Sequence, residues 1–142
     1  EIFEVRAGLF DVVARKVAAD RPPELMAVLA AGVARLETLT ARAEDGDLYA
    51  ETTYRLLLIT ARFCGNQRLA QMLAALSLQT LRYSKLGLRS IERRQRSASL
   101  WRAALGALER GDADQLASLS GQRIRESGDE AARRLGQSGV RP

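Results

Sequence analysis

The sequence predicts an all-α fold, an antiparallel bundle of six to seven helices. Three observations predict it. Apolar residues recur at steps of three and four along most of the chain. No segment alternates apolar and polar side chains, and β-branched residues never cluster in turn-bounded runs. Connections of about two to five residues favour antiparallel neighbours. The chain has 142 residues, enough for one domain with a real core and too few for two comfortable ones. No repeat of roughly 30–45 residues points to a solenoid.

Residues 2–19 predict the first helix, with Ile2, Val5, Leu9, Val12 or Val13, and Val17 on one stripe. Asp20-Arg21-Pro22-Pro23 ends it, because proline disfavours helix in the residue before it and suits the first turn of the next. The second helix is expected to run to about residue 43, on Leu25, Leu29, Val33, Leu36 and Leu39. Gly32 inside it marks close packing. Glu44-Asp45-Gly46-Asp47 reads as a turn, with Asp47 as N-cap.

Residues 49–76 then form the centre of the pattern. Two helices, 48–64 and 67–86, meet at Gly65-Asn66. Gly65 can take a positive φ and stop one helix, and Asn66 can cap the next. Thr53 and Leu57 are four apart, so both side chains leave one helix face. Residues 88–96 are polar and weakly periodic and read as a short helix or the start of a longer one, and a helix over 97–110 turns Leu100, Ala104, Leu105 and Leu108 inward. Gly111-Asp112 repeats the stop-and-cap junction. The last helix spans 113–135, with Leu116, Leu119 and Ile124 as its stripe, and 137–142 is expected to be a frayed tail.

Composition narrows the chemistry. Hydrophobic residues make up 46% and charged residues 27%, an ordinary balance for a globular fold. No apolar run is long enough for a membrane span, and the N-terminal residues lack the pattern of a signal peptide. The chain starts in helical rhythm without Met, as expected of a fragment. A lone cysteine, Cys64, fits a reducing cytosol and reads as a small core residue. With no histidine, there is no Ser-His-Asp or Cys-His machinery and no His-ligated metal centre. The net charge is +5, carried almost wholly by arginine. The run Lys85, Arg89, Arg93, Arg94, Arg96 has few aromatic neighbours and reads as a solvated helix face rather than a nucleic-acid patch.

The ordered pieces Val5-Arg6, Ala50-Glu51, Tyr54, Gly65-Asn66, Gly111-Asp112-Ala113 and Glu126-Ser127-Gly128 span nearly the whole chain. Together they resemble the ligand-binding C-terminal domain, called the FCD domain, of GntR-type transcription regulators of the FadR group. Most members of that family hold a divalent metal through an Asp and a His four apart, then a His on each of the last two helices. The resemblance carries those positions onto Thr53, Leu57, Trp101 and Arg123. Leu and Trp offer no lone pair and Arg is cationic, so no metal is expected. A metal-free branch binds acyl-coenzyme A, and Glu126-Ser127-Gly128 resembles its ligand-contacting stretch. That branch has Gly where Ile124 stands and Trp where Ala131 stands.

The resemblance implies a central pocket, a homodimer and a winged helix-turn-helix domain N-terminal to residues 1–136 that would carry operator DNA binding. No catalytic residue and no cofactor are expected. The ligand-binding set is Thr53, Leu57, Leu76, Trp101, Arg123 and Ser127. Arg123 would pair a carboxylate of an acyl-coenzyme A, a fatty acid or another carboxylate effector. Thr53 would add a hydroxyl, and Leu57, Leu76 and Trp101 would line an apolar slot. The alternative is a helical dimerisation module whose pocket is filled by Leu57 and Trp101.

Overall fold

The computed structural model describes residues 1–138. Seven α-helices follow one another: α1 (Ile2–Asp20), α2 (Pro23–Thr38), α3 (Gly46–Arg62), α4 (Gln67–Gln79), α5 (Leu81–Gly87), α6 (Ile91–Arg110) and α7 (Ala113–Ser138). A 3₁₀ turn, Ala43–Asp45, precedes α3. There is no strand among the described residues, so the all-α expectation holds. None of these helices is long and apolar enough to cross a membrane.

The helix ends follow local chemistry. Arg21 takes a left-handed conformation, φ 45°, and its N–H closes α1 on the Val17 carbonyl. Gly65 (φ 75°) and Gly111 (φ 69°) supply the other two left-handed residues, which glycine adopts without a Cβ clash. The Asn66 side chain accepts from Leu69 N at 3.0 Å, and Asp112 Oδ1 accepts from Gln115 N at 3.1 Å. Both predicted stop-and-cap junctions are present.

Several boundaries differ from the sequence reading. α2 stops at Thr38 rather than near residue 43; the Thr38 and Thr40 hydroxyls turn back onto the Arg35 and Glu37 carbonyls, which competes with helix continuation. The expected 67–86 helix breaks at Thr80, whose hydroxyl donates to the Leu76 carbonyl at 2.8 Å. Of the two readings of 88–96, the start of a longer helix holds: α6 runs on from its cap Ser90, whose Oγ accepts from Arg93 N. Asp47 lies in the first turn of α3 rather than at its cap, where its carboxylate faces the positive helix end. α7 continues to Ser138. Of the expected tail, residues 139–142 lie outside the described residues.

The inward face of α1 is also rotated from the predicted stripe. Phe3, Phe10, Val13 and Val17 are buried, whereas Val5 and Val12 are 52% and 44% exposed. The two phenylalanines are seven residues apart and define the buried face. Arg6, between them, is carried inward. The predicted stripe of α2 is buried throughout, Leu39 included. Each such fully buried Leu stabilises the fold by about 2 kcal/mol relative to exposure.

α1 packs along α7, and α7 also packs on α5 and α6; α3 packs on α2, α4 and α5. Close approach depends on missing side chains. A Cβ on Gly128 would meet the Phe3 ring, and one on Gly87 would enter the Ser127 carbonyl. Arg94 departs furthest from expectation. It is fully buried rather than solvated, and its guanidinium donates to the Arg42 carbonyl at 2.7 Å and to the Leu88 and Arg89 carbonyls. It ties the loop before α3 to the α5–α6 junction.

Gly87→Ala should therefore destabilise the protein by about 1–3 kcal/mol through overpacking, although alanine is the better helix former by ~1 kcal/mol. The midpoint of urea unfolding checks this; an increased midpoint would contradict the α5–α7 contact.

Candidate functional site

The interior is arranged around Arg123 on α7. Its guanidinium lies over the Trp101 ring, 4.1 Å from the ring centroid. The Trp101 indole N–H donates to Thr53 Oγ1 at 2.8 Å, and Arg123 Nη1 donates to the same oxygen at 3.3 Å. Thr53, Trp101 and Arg123 are all buried. A desolvated cation over an indole is stabilised by about 2 kcal/mol. The Thr53 hydroxyl has two acceptor lone pairs, and these two donors use both.

Beside this trio lies a cavity of about 20 Å³. α3 contributes Ala50, Thr53, Tyr54 and Leu57; α7 contributes Arg123, Ile124 and Ser127; α1 contributes Arg6. Ser77, Ser84 and Ser97 supply further hydroxyls, and no Asp or Glu lines the wall. Arg6 Nη1 donates to Thr80 Oγ1 at 3.2 Å and Ser84 Oγ at 3.5 Å. Its guanidinium is 5.2 Å from the centroid of the Phe3 ring.

Neither arginine has an acidic partner among the described residues. Four buried polar atoms on residues of this one wall lack a protein hydrogen-bond partner: Arg6 Nε, Arg123 Nη2, Ser77 Oγ and Ser127 Oγ. The Tyr49 hydroxyl, deeper in the core, borders Ser97 without closing a well-aligned hydrogen bond.

Electrostatics reflect this imbalance. Burial, reinforced by the like charge of Arg6, pulls Arg123 down to about 9. Burial pulls Arg6 down to about 10 and pushes the Tyr49 phenol up to about 12. Both guanidinium groups are still cationic at neutral pH. An ion removed from water carries a penalty of several kcal/mol unless an opposite charge compensates it. The arrangement is therefore an acceptor-hungry cavity with two fixed cations and a ring of hydroxyls.

A divalent cation does not fit it. The four positions that the resemblance assigns to metal ligands hold a hydroxyl already taken by two N–H donors, an isobutyl group, an indole and a cation. No group of three or more His, Cys, Asp or Glu that could hold a metal occurs among the described residues.

Of the six residues singled out in the sequence, Thr53, Leu57, Arg123 and Ser127 share the cavity wall. Trp101 touches Thr53 and Arg123 but faces a second, apolar cavity. Leu76 lies on neither wall; Leu73, Ser77 and Thr80 are the inward positions of that stretch, and Leu76 sits about 100° around the helix from Ser77. Sequence reasoning missed Arg6 as a site residue. The Phe3–Phe10 spacing could have placed it, since Arg6 stands three residues after one and four before the other.

The described helices thus form an all-α bundle around a buried polar site. A family model for the FCD domain matches residues 1–126, and the chain belongs to that family: it is the C-terminal FCD domain of a GntR-family regulator. Such a domain is a regulatory, effector-binding domain. Comparison with curated proteins gives no match, and comparison with solved structures gives none.

Thr53→Val keeps the shape of the side chain and removes the acceptor shared by Trp101 and Arg123. It should destabilise the protein by about 2 kcal/mol, because two buried donors lose their partner. Chemical denaturation followed through the single tryptophan checks this; a change below about 0.5 kcal/mol would show that the shared oxygen is not structural.

Proposed function

We propose that this domain senses a compact anionic effector, held by Arg6 and Arg123 without a metal. One observation carries the reading: two buried arginines face one cavity that contains no carboxylate. An effector carboxylate would supply the missing charge and accept from the orphaned Arg6 Nε and Arg123 Nη2. Ser77 and Ser127 are placed for further hydrogen bonds. Charge-assisted bonds of this kind are about twice as strong as neutral ones.

Among the effector classes expected from the sequence, the cavity volume favours a small carboxylate over a fatty acid or an acyl-coenzyme A. About 20 Å³ corresponds to one or two water-sized groups. The same small volume favours the competing reading of a filled dimerisation module; the two uncompensated cations argue against it. Homodimerisation and operator binding through a winged helix-turn-helix domain belong to the proposal. The exposed Val5 and Val12 on α1 support a partner-facing surface there.

Acetate is the first probe. Ligand at a hundredfold excess over its Kd raises stability by about 2.7 kcal/mol, so the melting temperature of the wild type should rise. Arg123→Met should melt at the wild-type temperature or above without ligand, because it removes a buried unpaired charge. Its acetate-dependent rise should be lost. A bound anion raises the Arg123 pKa, so affinity is full below the free value and falls as pH rises through about 9. An equal acetate shift in Arg123→Met would sink the assignment, and no shift with any small anion would favour the filled module.

A further inference from the structure

A second cavity, also about 20 Å³, lies on the far side of Trp101. Its wall is almost wholly apolar, with Phe10, Leu29, Val33, Leu105 and Leu116 among its residues. The two cavities succeed one another along the same three helices. On α1, Arg6 lines the first, and Phe10 and Val17 the second. On α3, Thr53 and Leu57 line the first and Thr60 the second. On α7, Arg123 and Ser127 line the first, and Leu116 and Ser120 the second. Seven residues along a helix advance about 10 Å, so Thr53 and Thr60 mark consecutive segments of one seam. Trp101, from α6, is inserted between them. It is held on the polar side by its indole N–H to Thr53 and by the Arg123 guanidinium over its ring.

From this order we infer that Trp101 is a specificity-determining plug. It separates a cationic head compartment from an apolar tail compartment and restricts the domain to carboxylates without an alkyl tail. The inference rests on the anion reading above. The arrangement explains why an apolar space beside a cation site is closed to it. The ring lines the apolar compartment and backs Thr53 and Arg123, two residues of the head-compartment wall, which make the two contacts that hold it. Rotating the indole out would break its bond to Thr53 and uncover Arg123. A carboxylate with a chain of several carbons would need both compartments at once. Removing the indole opens a space of the order of 150 Å³, a size that admits benzene-scale guests.

The test compares acetate and hexanoate binding, by calorimetry, in the wild type, Trp101→Ala and Trp101→Leu. Circular dichroism and thermal melting establish that each variant is folded; Trp101→Leu keeps apolar packing if Trp101→Ala does not fold. The expected result is a gain of at least tenfold in hexanoate affinity relative to acetate in a folded variant over wild type. Equal relative hexanoate affinity in wild type and variant would overturn the inference, and so would no hexanoate binding in either. Acetate binding to the wild type and its loss in Arg123→Met report separately on the head compartment. A failure there would overturn the anion site and the plug with it, whereas intact acetate results with no hexanoate gain would overturn the plug alone.

Discussion

Two guanidinium groups inside one helical bundle, with no carboxylate to compensate them, set the terms for this structure. Arg6 and Arg123 come from opposite ends of the chain and meet because α1 packs along α7. Their charges face the same cavity, and burial pulls both well below the ordinary arginine range. Everything polar nearby serves to soften that charge without cancelling it. Thr80 and Ser84 accept from Arg6, Thr53 accepts from Arg123, and the Phe3 and Trp101 rings offer their negative faces. Hydroxyls and rings supply dipoles and quadrupoles. Only an anion supplies a full opposite charge, and none of the described residues places one there.

Thr53 links this electrostatic problem to the fold. Its single oxygen joins α3 to α6 through Trp101 and to α7 through Arg123. A metal ion at such a centre would bind several helices through its ligands. Here a hydroxyl, an indole and a guanidinium do so by hydrogen bonding and stacking. On the proposed anion reading, a change in what Arg123 binds would reach the α3 and α6 contacts through Thr53 and Trp101.

The sequence was most legible where one residue type decides a local geometry. Gly65-Asn66 and Gly111-Asp112 act as the stop-and-cap junctions their side chains dictate, and the α2 stripe from Leu25 to Leu39 is buried as its spacing requires. It was least legible where a long cationic side chain is buried. Arg94 looked like part of a solvated basic run, yet three backbone carbonyls draw it fully inside. Arg6 entered the sequence reading only beside Val5 in the family pattern, because the apolar stripe of α1 can be drawn through Val5 or through the phenylalanines, and only packing chooses. Charge cannot announce burial in a linear pattern. The hydroxyls that accept from Arg6 and Arg123 lie 74 and 70 residues away along the chain, at Thr80 and Thr53. Trp101 was legible as an interior residue, but its role between two cavities depends on α1, α3 and α7 running alongside one another.

On the proposed reading, a fixed guanidinium pair does the work of a metal at the centre of the bundle. Calorimetric titration of acetate into the purified domain tests it most directly, first in excess EDTA and then after dialysis against zinc or nickel. The account predicts the same affinity in both conditions, because Arg6 and Arg123 are always present. Loss of binding in EDTA with recovery on adding the divalent ion would contradict it.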